Sequence, residues 1–503
     1  MRPARTGDSL GSALSPKARL VTLVNVPLGA AVSLLLWRSL DWPLIGDATI
    51  FHFIADQMRM GAIPYRDIYD INMPLIYFIH LAVVAIGCMS DVAWRAFDLA
   101  SAAAMSGLIL MVVWPAGRAL AIHAALIALI VHLLLGPYSA GQRDYLMSIV
   151  ALGAALASIR AAENSRRCRV ELLLTGALAA IAASIKPTGV LLLALPAIGM
   201  ARLRWHDAIW TMIGAAIVGL LVIGLLAALG AVWGFIEMVR QLMPLYASLG
   251  SRPLYDLVRD VAVWLAPTGG LALAAMLNIS APKPPRVRVM IGLTLFGVIH
   301  LFAQRKGWFY HVYPLGIGLT CWGACSLASL SMRRSVVCVI VTAAILVWLV
   351  PEALTQARSY PALRAASAMQ LALESRLPHG ARVQVLDSDN GAFLAMARAG
   401  MRHATPHIQW FSLLLATNSV REEFVAALKA HSPAAILLTN SQWPETSGFD
   451  SADHWPEFAA LLASQYDLVQ SGDEDGIAWR LYIARSATRG HLPVLQSKVR
   501  ARD

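Results

Sequence analysis

The chain is 503 residues long, 58% hydrophobic and only 14% charged, with a mean hydropathy of +0.60. Soluble proteins carry roughly a quarter charged residues, so a soluble enzyme of this size is excluded. Lys and Arg outnumber Asp and Glu by 41 to 30, but these cations punctuate apolar runs and form no single patch. That balance fits a lipid bilayer as partner, with no nucleic acid. The five cysteines (Cys88, Cys168, Cys321, Cys325, Cys338) lie in or beside apolar segments and define no disulfide framework. Cys321 and Cys325 read as packing residues, because no His or carboxylate accompanies them.

A spanning helix needs about 20 apolar residues to cross roughly 30 Å of hydrocarbon. The first candidate, Leu20–Leu40, follows the basic residues Arg2, Arg5, Lys17 and Arg19. It is longer than a signal-peptide core and lacks a small-residue cleavage site, so it reads as a retained anchor. Further candidates are Trp94–Trp114, Ala119–Leu135, Leu146–Ala161, Glu171–Ile185, Val190–Met200, Ala208–Val232, Leu257–Ile279, Val289–Phe302, Val312–Leu330 and Val336–Val350, which makes 11 spans. Leu75–Met89 is apolar but short for a span. If it stays in the outer interface, Arg118, Arg166, Arg167, Arg169, Arg202, Arg204, Lys283, Arg286, Arg288, Arg333 and Arg334 all share the side of the basic N-terminus. That is the positive-inside pattern. It puts the N-terminus in the cytoplasm and everything after Val350 outside. The short Val190–Met200 segment is expected to form a broken pair with its neighbour around Pro187, and irregular backbone at that depth needs a protein or aqueous lining.

From about Glu352 the charge density becomes that of a soluble domain. Strand-like runs occur at Val383–Leu386, Ala434–Leu438, Tyr466–Val469 and Ala478–Ile483, the last two flanking a polar turn at Ser471–Gly476; this suggests a hairpin. Helical patterns fit Pro361–Glu374 and Val420–Ala430. The expected fold is mainly α: a polytopic membrane helix bundle over residues 1–351, with an outer loop at 41–93, and a small α/β extramembrane domain over 352–503.

The outer loops hold the chemistry. In the first, Ala48–Met60 is amphipathic, with Ile50, Phe53, Ile54, Gln57 and Met58 near one face. It reads as an interfacial helix ended by Gly61, in a loop that carries Asp47, Asp56, Asp67 and Asp70. The second offers Arg143-Asp144, the third Lys186 before Pro187, and the fourth Arg305-Lys306 followed by Trp308, Tyr310 and His311. Ionisable groups at membrane depth are functional candidates by default. Taken singly, the fourth group also fits an aromatic and snorkelling belt, Arg143-Asp144 a structural ion pair, and Asp47 a helix N-cap. Together, carboxylates and cations on one face suit a reaction with an anionic, lipid-borne substrate. In the tail, Arg402, His403, His407 and Trp410 suggest an acceptor groove, whereas Asp387 and Asp389 fit a strand-end turn.

Gly46-Asp47, the amphipathic helix, Gly61-x-x-Pro64-Tyr65-x-Asp67 and Pro74-Leu75 together resemble the first outer loop of GT-C glycosyltransferases. The branch is that of the protein mannosyltransferases and aminoarabinose transferases, family 39 and its relatives. Arg143-Asp144 matches the acidic motif of their second outer loop, Lys186 the lysine of the next bend, and His311 the histidine entering a late span. Two positions depart from the pattern. Asp47-Ala48 stands where many relatives carry Asp-Glu, and Asn72-Met73-Pro74 where many carry Lys-Pro-Pro.

Over about Leu20–Leu330 the resemblance implies a GT-C fold. It also implies inverting transfer of a hexose or pentose from a polyprenyl phosphate to a glycan, lipid or protein acceptor on the periplasmic face of a bacterial inner membrane. In that reading Asp47 is the base and Asp144 orients the acceptor, a water or a metal. Lys186, Arg305 and Lys306 hold the phosphate with His311 as a further donor, and Tyr65, Arg66, Asp67, Asn72 and Arg143 complete the substrate-binding set. The resemblance fixes no cofactor, and a divalent metal stays open. The rival readings are a transporter or flippase of lipid-linked sugars and a non-catalytic envelope assembly protein. Transporters tend to place their sites at the midplane between repeats, and no repeat is evident here.

Overall fold

The computed structural model describes residues 15–164, 168–200, 202, 204–280, 283–355, 359–387, 389–408, 418–440 and 455–486. Of the residues singled out above, Arg2, Arg5, Arg166, Arg167 and Trp410 lie outside the described residues. The apolar segments predicted to span are helical. Among the described residues, seven helices are long and apolar enough to cross a membrane: Pro16–Ser39, Asp91–Ala116, Arg143–Glu163, Cys168–Ile185, Trp205–Ala228, Pro285–Gln304 and Met332–Thr355. Leu254–Trp264 with Ala266–Leu277 makes an eighth as a pair bent by 62°. Arg118–Leu134, Pro187–Gly199 and the 17-residue Tyr313–Ser329 are shorter than the rest, so the length expected of a span is met by fewer helices than the 11 segments predicted. The chain is a multi-pass membrane protein.

It divides into two compact units. The first comprises Met1–Trp42, Ala96–Leu220 and Arg252–Ala357, and the second Pro43–Arg95, Leu221–Ser251 and Arg358–Asp503.

In the first unit, basic residues at helix starts satisfy carbonyls at the ends of other helices, which have no intrahelical partner. Lys17 Nζ donates to the carbonyls of Ala328 at 2.9 Å and Leu330 at 2.5 Å. Arg286 donates to the Val112 carbonyl at 2.5 Å and pairs with Glu163 at 2.8 Å. Ser15 caps the first helix by accepting from Ala18 N. Helix Pro285–Gln304 packs against Tyr313–Ser329 at Gly297, where a Cβ would strike the Leu315 backbone. This close crossing of small residues is a common membrane packing mode, and it sets the last turn of one helix beside the approach to the next.

In the second unit the tail forms a five-stranded sheet of β1 (Arg382–Leu386), β2 (Arg402–His403), β3 (Ala435–Thr439), β4 (Tyr466–Glu474) and β5 (Ile477–Ala484), in the order β2-β1-β3-β5-β4. β1 runs parallel to β2 and β3, and β5 is antiparallel to β3 and β4. Helices Pro361–Glu374, Ala392–Arg398, Asn418–His431 and Pro456–Gln465 complete the domain. One apolar core joins Leu386, Phe424, Leu428, Ile436, Trp455 and Phe458.

The predicted interfacial helix is Asp47–Arg59, and here the expectation needs correcting. Nine of its residues are buried, on more than one face, because it packs against Leu75–Gly87 and Ala392–Arg398. Phe53 meets Phe393 at 5.3 Å between ring centroids. Gln57 donates to the Met401 carbonyl at 3.2 Å and accepts from His403 N at 3.1 Å. The loop therefore finds protein where the sequence suggested lipid.

Candidate active site

Within the first unit a buried polar cluster forms around Asp144, in the opening turn of helix Arg143–Glu163. Its side chain is fully buried, and Lys186 Nζ stands 2.8 Å from Oδ2. Lys186 occupies the break after helix Cys168–Ile185. The ring of Pro187 disfavours helical backbone at the residue before it, and Lys186 is extended at φ −144°, ψ 133°. Its Nζ also donates to Gln304 Oε1 at 2.5 Å. His300, one turn before Gln304, places Nε2 at 2.6 Å from Asp144 Oδ1 and Nδ1 at 2.7 Å from Thr188 Oγ1. An Nε2–H tautomer satisfies both: the ring donates to the carboxylate and accepts from the hydroxyl.

His311 joins this neighbourhood. It is buried, its ring lies 6.2 Å from that of His300 at 89°, and its Nδ1 has no hydrogen-bond partner among the described residues. Burial, and after it the Lys186 charge, holds its imidazole well below the usual range; Arg143 adds to the same effect. Lys306 is buried in the preceding loop, and burial pushes its amine down to about 8. Arg305 is exposed, in left-handed backbone at φ 49°, with its carbonyl accepting from Arg252 N at 2.8 Å.

The remaining candidates belong to the second unit. Asp47 is half-buried and is the first helical residue, not the cap. The cap is Gly46 at φ 64°, a conformation that favours glycine. Tyr65 is itself left-handed at φ 65° and buried, and its hydroxyl donates to the Asn72 carbonyl at 2.6 Å. Asn72 Nδ2 and Tyr77 Oη both donate to Asp70 Oδ2, at 2.6 and 2.7 Å. As arranged, Tyr65 and Asn72 build the loop. Burial raises the Tyr65 hydroxyl well above its ordinary range, and the Asp70 charge adds to the shift. Arg66 grips Asp67 through Nε and Nη2 at 2.9 and 2.8 Å, which holds the Asp67 carboxyl below its usual value.

No group of three or more His, Cys, Asp and Glu side chains suited to a metal occurs among the described residues. Asp47 is followed by Ala48, not by a second carboxylate.

Sequence reasoning passed over His300, Gln304 and Thr188. It also missed a second buried network, in which His132 bridges Asp98 at 3.2 Å and the Tyr313 hydroxyl at 2.7 Å. Asp98 in turn accepts from Gly141 N at 2.9 Å, which ties down the loop before Asp144. The signal was available: Asp98, His132 and His300 are ionisable residues inside apolar runs, where ionisable groups are rare.

No protein-family model matches the sequence, and no curated protein matches it. Solved structures do. ArnT from Cupriavidus metallidurans, bound to undecaprenyl phosphate, superposes with a TM-score of 0.58 at 13% identity, over 91% of this chain and 97% of that one. Its apo state gives 0.57, again at 13% identity, over 92% and 98%. The oligosaccharyltransferase AglB from Archaeoglobus fulgidus, in complex with an inhibitory peptide and a dolichol-phosphate, gives 0.51 at 11% identity, over 85% of this chain and 69% of that one. The chain shares the fold of these structures, a mainly α membrane helix bundle with a small α/β domain.

Proposed function

We propose that this protein is an inverting glycosyltransferase that moves a sugar from a polyprenyl-phosphate donor to a cell-envelope acceptor on the periplasmic face of a bacterial inner membrane. The observation that supports this most is the buried Lys186–Asp144–His300 cluster, set in the fold of ArnT, whose structure holds undecaprenyl phosphate.

The acceptor hydroxyl oxygen attacks the anomeric carbon, the bond from that carbon to the phosphate oxygen breaks, and its electron pair leaves on the polyprenyl phosphate. The acceptor proton passes to the Asp47 carboxylate. A lipid phosphate is a good leaving group, so one general base suffices where cations stabilise the departing charge. Asp144 orients Lys186, which meets the departing phosphate together with Arg305 and Lys306; Arg143 adds to the net positive charge, and His311 is a neutral donor. Attack opposite the phosphate inverts the anomeric centre.

The test is to incubate the purified protein in vesicles with a polyprenyl-phosphate sugar labelled in the sugar and with a cell-envelope glycan fraction as acceptor. The expected result is free polyprenyl phosphate with label leaving the lipid in the inverted configuration. Intact labelled lipid moved across the bilayer would make the protein a transporter instead.

A further inference from the structure

A cavity lies wholly within the second unit. It measures about 390 Å³ and lies between the first loop (Gln57 to Ile68) and the tail (Arg382, Arg402 to Pro406, and His431). That is within the roughly 300–1,000 Å³ typical of small-molecule sites.

Its charge is unbalanced. Arg382 and Arg402 are direct partners in the parallel pairing of β1 and β2, so their side chains leave adjacent strands, about 4.8 Å apart, on the same face. Like charges placed directly opposite are destabilising in a sheet. Neither arginine has a carboxylate partner among the described residues. The acidic residue in the lining, Asp67, is held in a two-point grip by Arg66. Burial keeps His403 neutral, pushed down to about 4, so the positive charge rests on the guanidiniums. The floor is fixed in advance: Gln57 bridges Met401 and His403, and Tyr69 N donates to the Pro406 carbonyl at 2.6 Å. A rigid wall with two adjacent, uncompensated guanidiniums is suited to planar or tetrahedral oxyanions.

We infer that this cavity binds the acidic group, phosphate or carboxylate, of a saccharide acceptor, so that the tail domain selects acidic glycans for transfer. The saccharide identity rests on the glycosyltransferase reading above; the anion rests on the cavity itself.

The experiment uses the full-length protein in detergent and titrates glucose 6-phosphate, glucuronic acid and glucose by calorimetry. Binding of either acid and not of glucose is expected, with the better acid distinguishing a phosphoglycan from a uronate acceptor. The Arg382→Gln/Arg402→Gln variant should weaken that binding by roughly tenfold to hundredfold, the worth of hydrogen bonds to charged groups. Its melting temperature without ligand should equal or exceed that of the wild type, because a like-charge neighbour is relieved. Glucose binding as well as the acids, neither acid binding, an unaffected double variant, or a lower melting temperature would each overturn the inference. The titration contains no donor, so failure of the glycosyltransferase reading would show in the polyprenyl-phosphate release assay and leave the binding result standing.

Discussion

Lys186 Nζ stands 2.8 Å from Asp144 Oδ2, joining two helix ends 42 residues apart in the chain. Both side chains are buried, and a buried pair contributes through what its breaking leaves behind. Removing one partner strands a charge, at a cost of about 3–5 kcal/mol. Lys186→Met and Asp144→Asn should therefore each lower the melting temperature sharply, and the double variant should melt above Lys186→Met. A double-mutant cycle followed by thermal unfolding checks this. Strict additivity would mean that the two residues do not act as a pair.

Asp47→Asn should leave the protein folded and inserted while kcat falls about 10²–10⁴-fold, the usual worth of a general base. The carboxylate at the first helical position interacts with the helix dipole for only about 0.3–1 kcal/mol, so unfolding should shift by little. Full activity in this variant would remove the proposed base.

Burial pushes the Lys306 amine from its ordinary 10.5 down to about 8. As the proposed phosphate contact it must be charged, so kcat/KM should fall as pH rises through about 8. Lys306→Arg, which stays charged, should lose that alkaline limb. Stability should run the other way. Between about 8 and 10.5 the unfolded chain binds the extra proton, so stability rises with pH over that window. A pH series of kinetics and melting temperatures reads both signs at once.

Gly234 lies against the Tyr65 backbone, where a Cβ would collide with its carbonyl oxygen. Tyr65 is already in left-handed backbone and has little room to yield. Gly234→Ala should cost about 1–3 kcal/mol as overpacking and should displace the loop carrying Arg66 and Asp67, read as a lower melting temperature with faster proteolysis between residues 60 and 72. An unchanged melting temperature would show that the contact relaxes freely.

Elements with a local signal were legible in the sequence. Helix Pro361–Glu374 lies where its pattern put it. The β4–β5 hairpin forms as expected, but its turn is only Asp475-Gly476, and Ser471–Glu474 extend β4. β4 is an edge strand, and an edge accepts polar residues that a central strand would not. Ala392–Arg398 was silent because six of its seven residues are buried, which leaves no amphipathic period to read. At the site, Lys186 and Asp144 stood out by position and His300 was visible as an ionisable residue in an apolar run, but its partners Asp144 and Thr188 come from other helices and no local pattern names them. The burial of Asp47–Arg59 is set by a helix more than 300 residues later, and no local periodicity encodes that.

If the Lys186 cluster receives a lipid phosphate, the purified protein binds polyprenyl phosphate with an affinity that native mass spectrometry measures. Binding should survive Asp47→Asn and weaken roughly tenfold or more in Lys186→Met, with Lys186→Arg intermediate. Equal affinity in the wild type and in a folded Lys186→Met protein would contradict that role for the cluster.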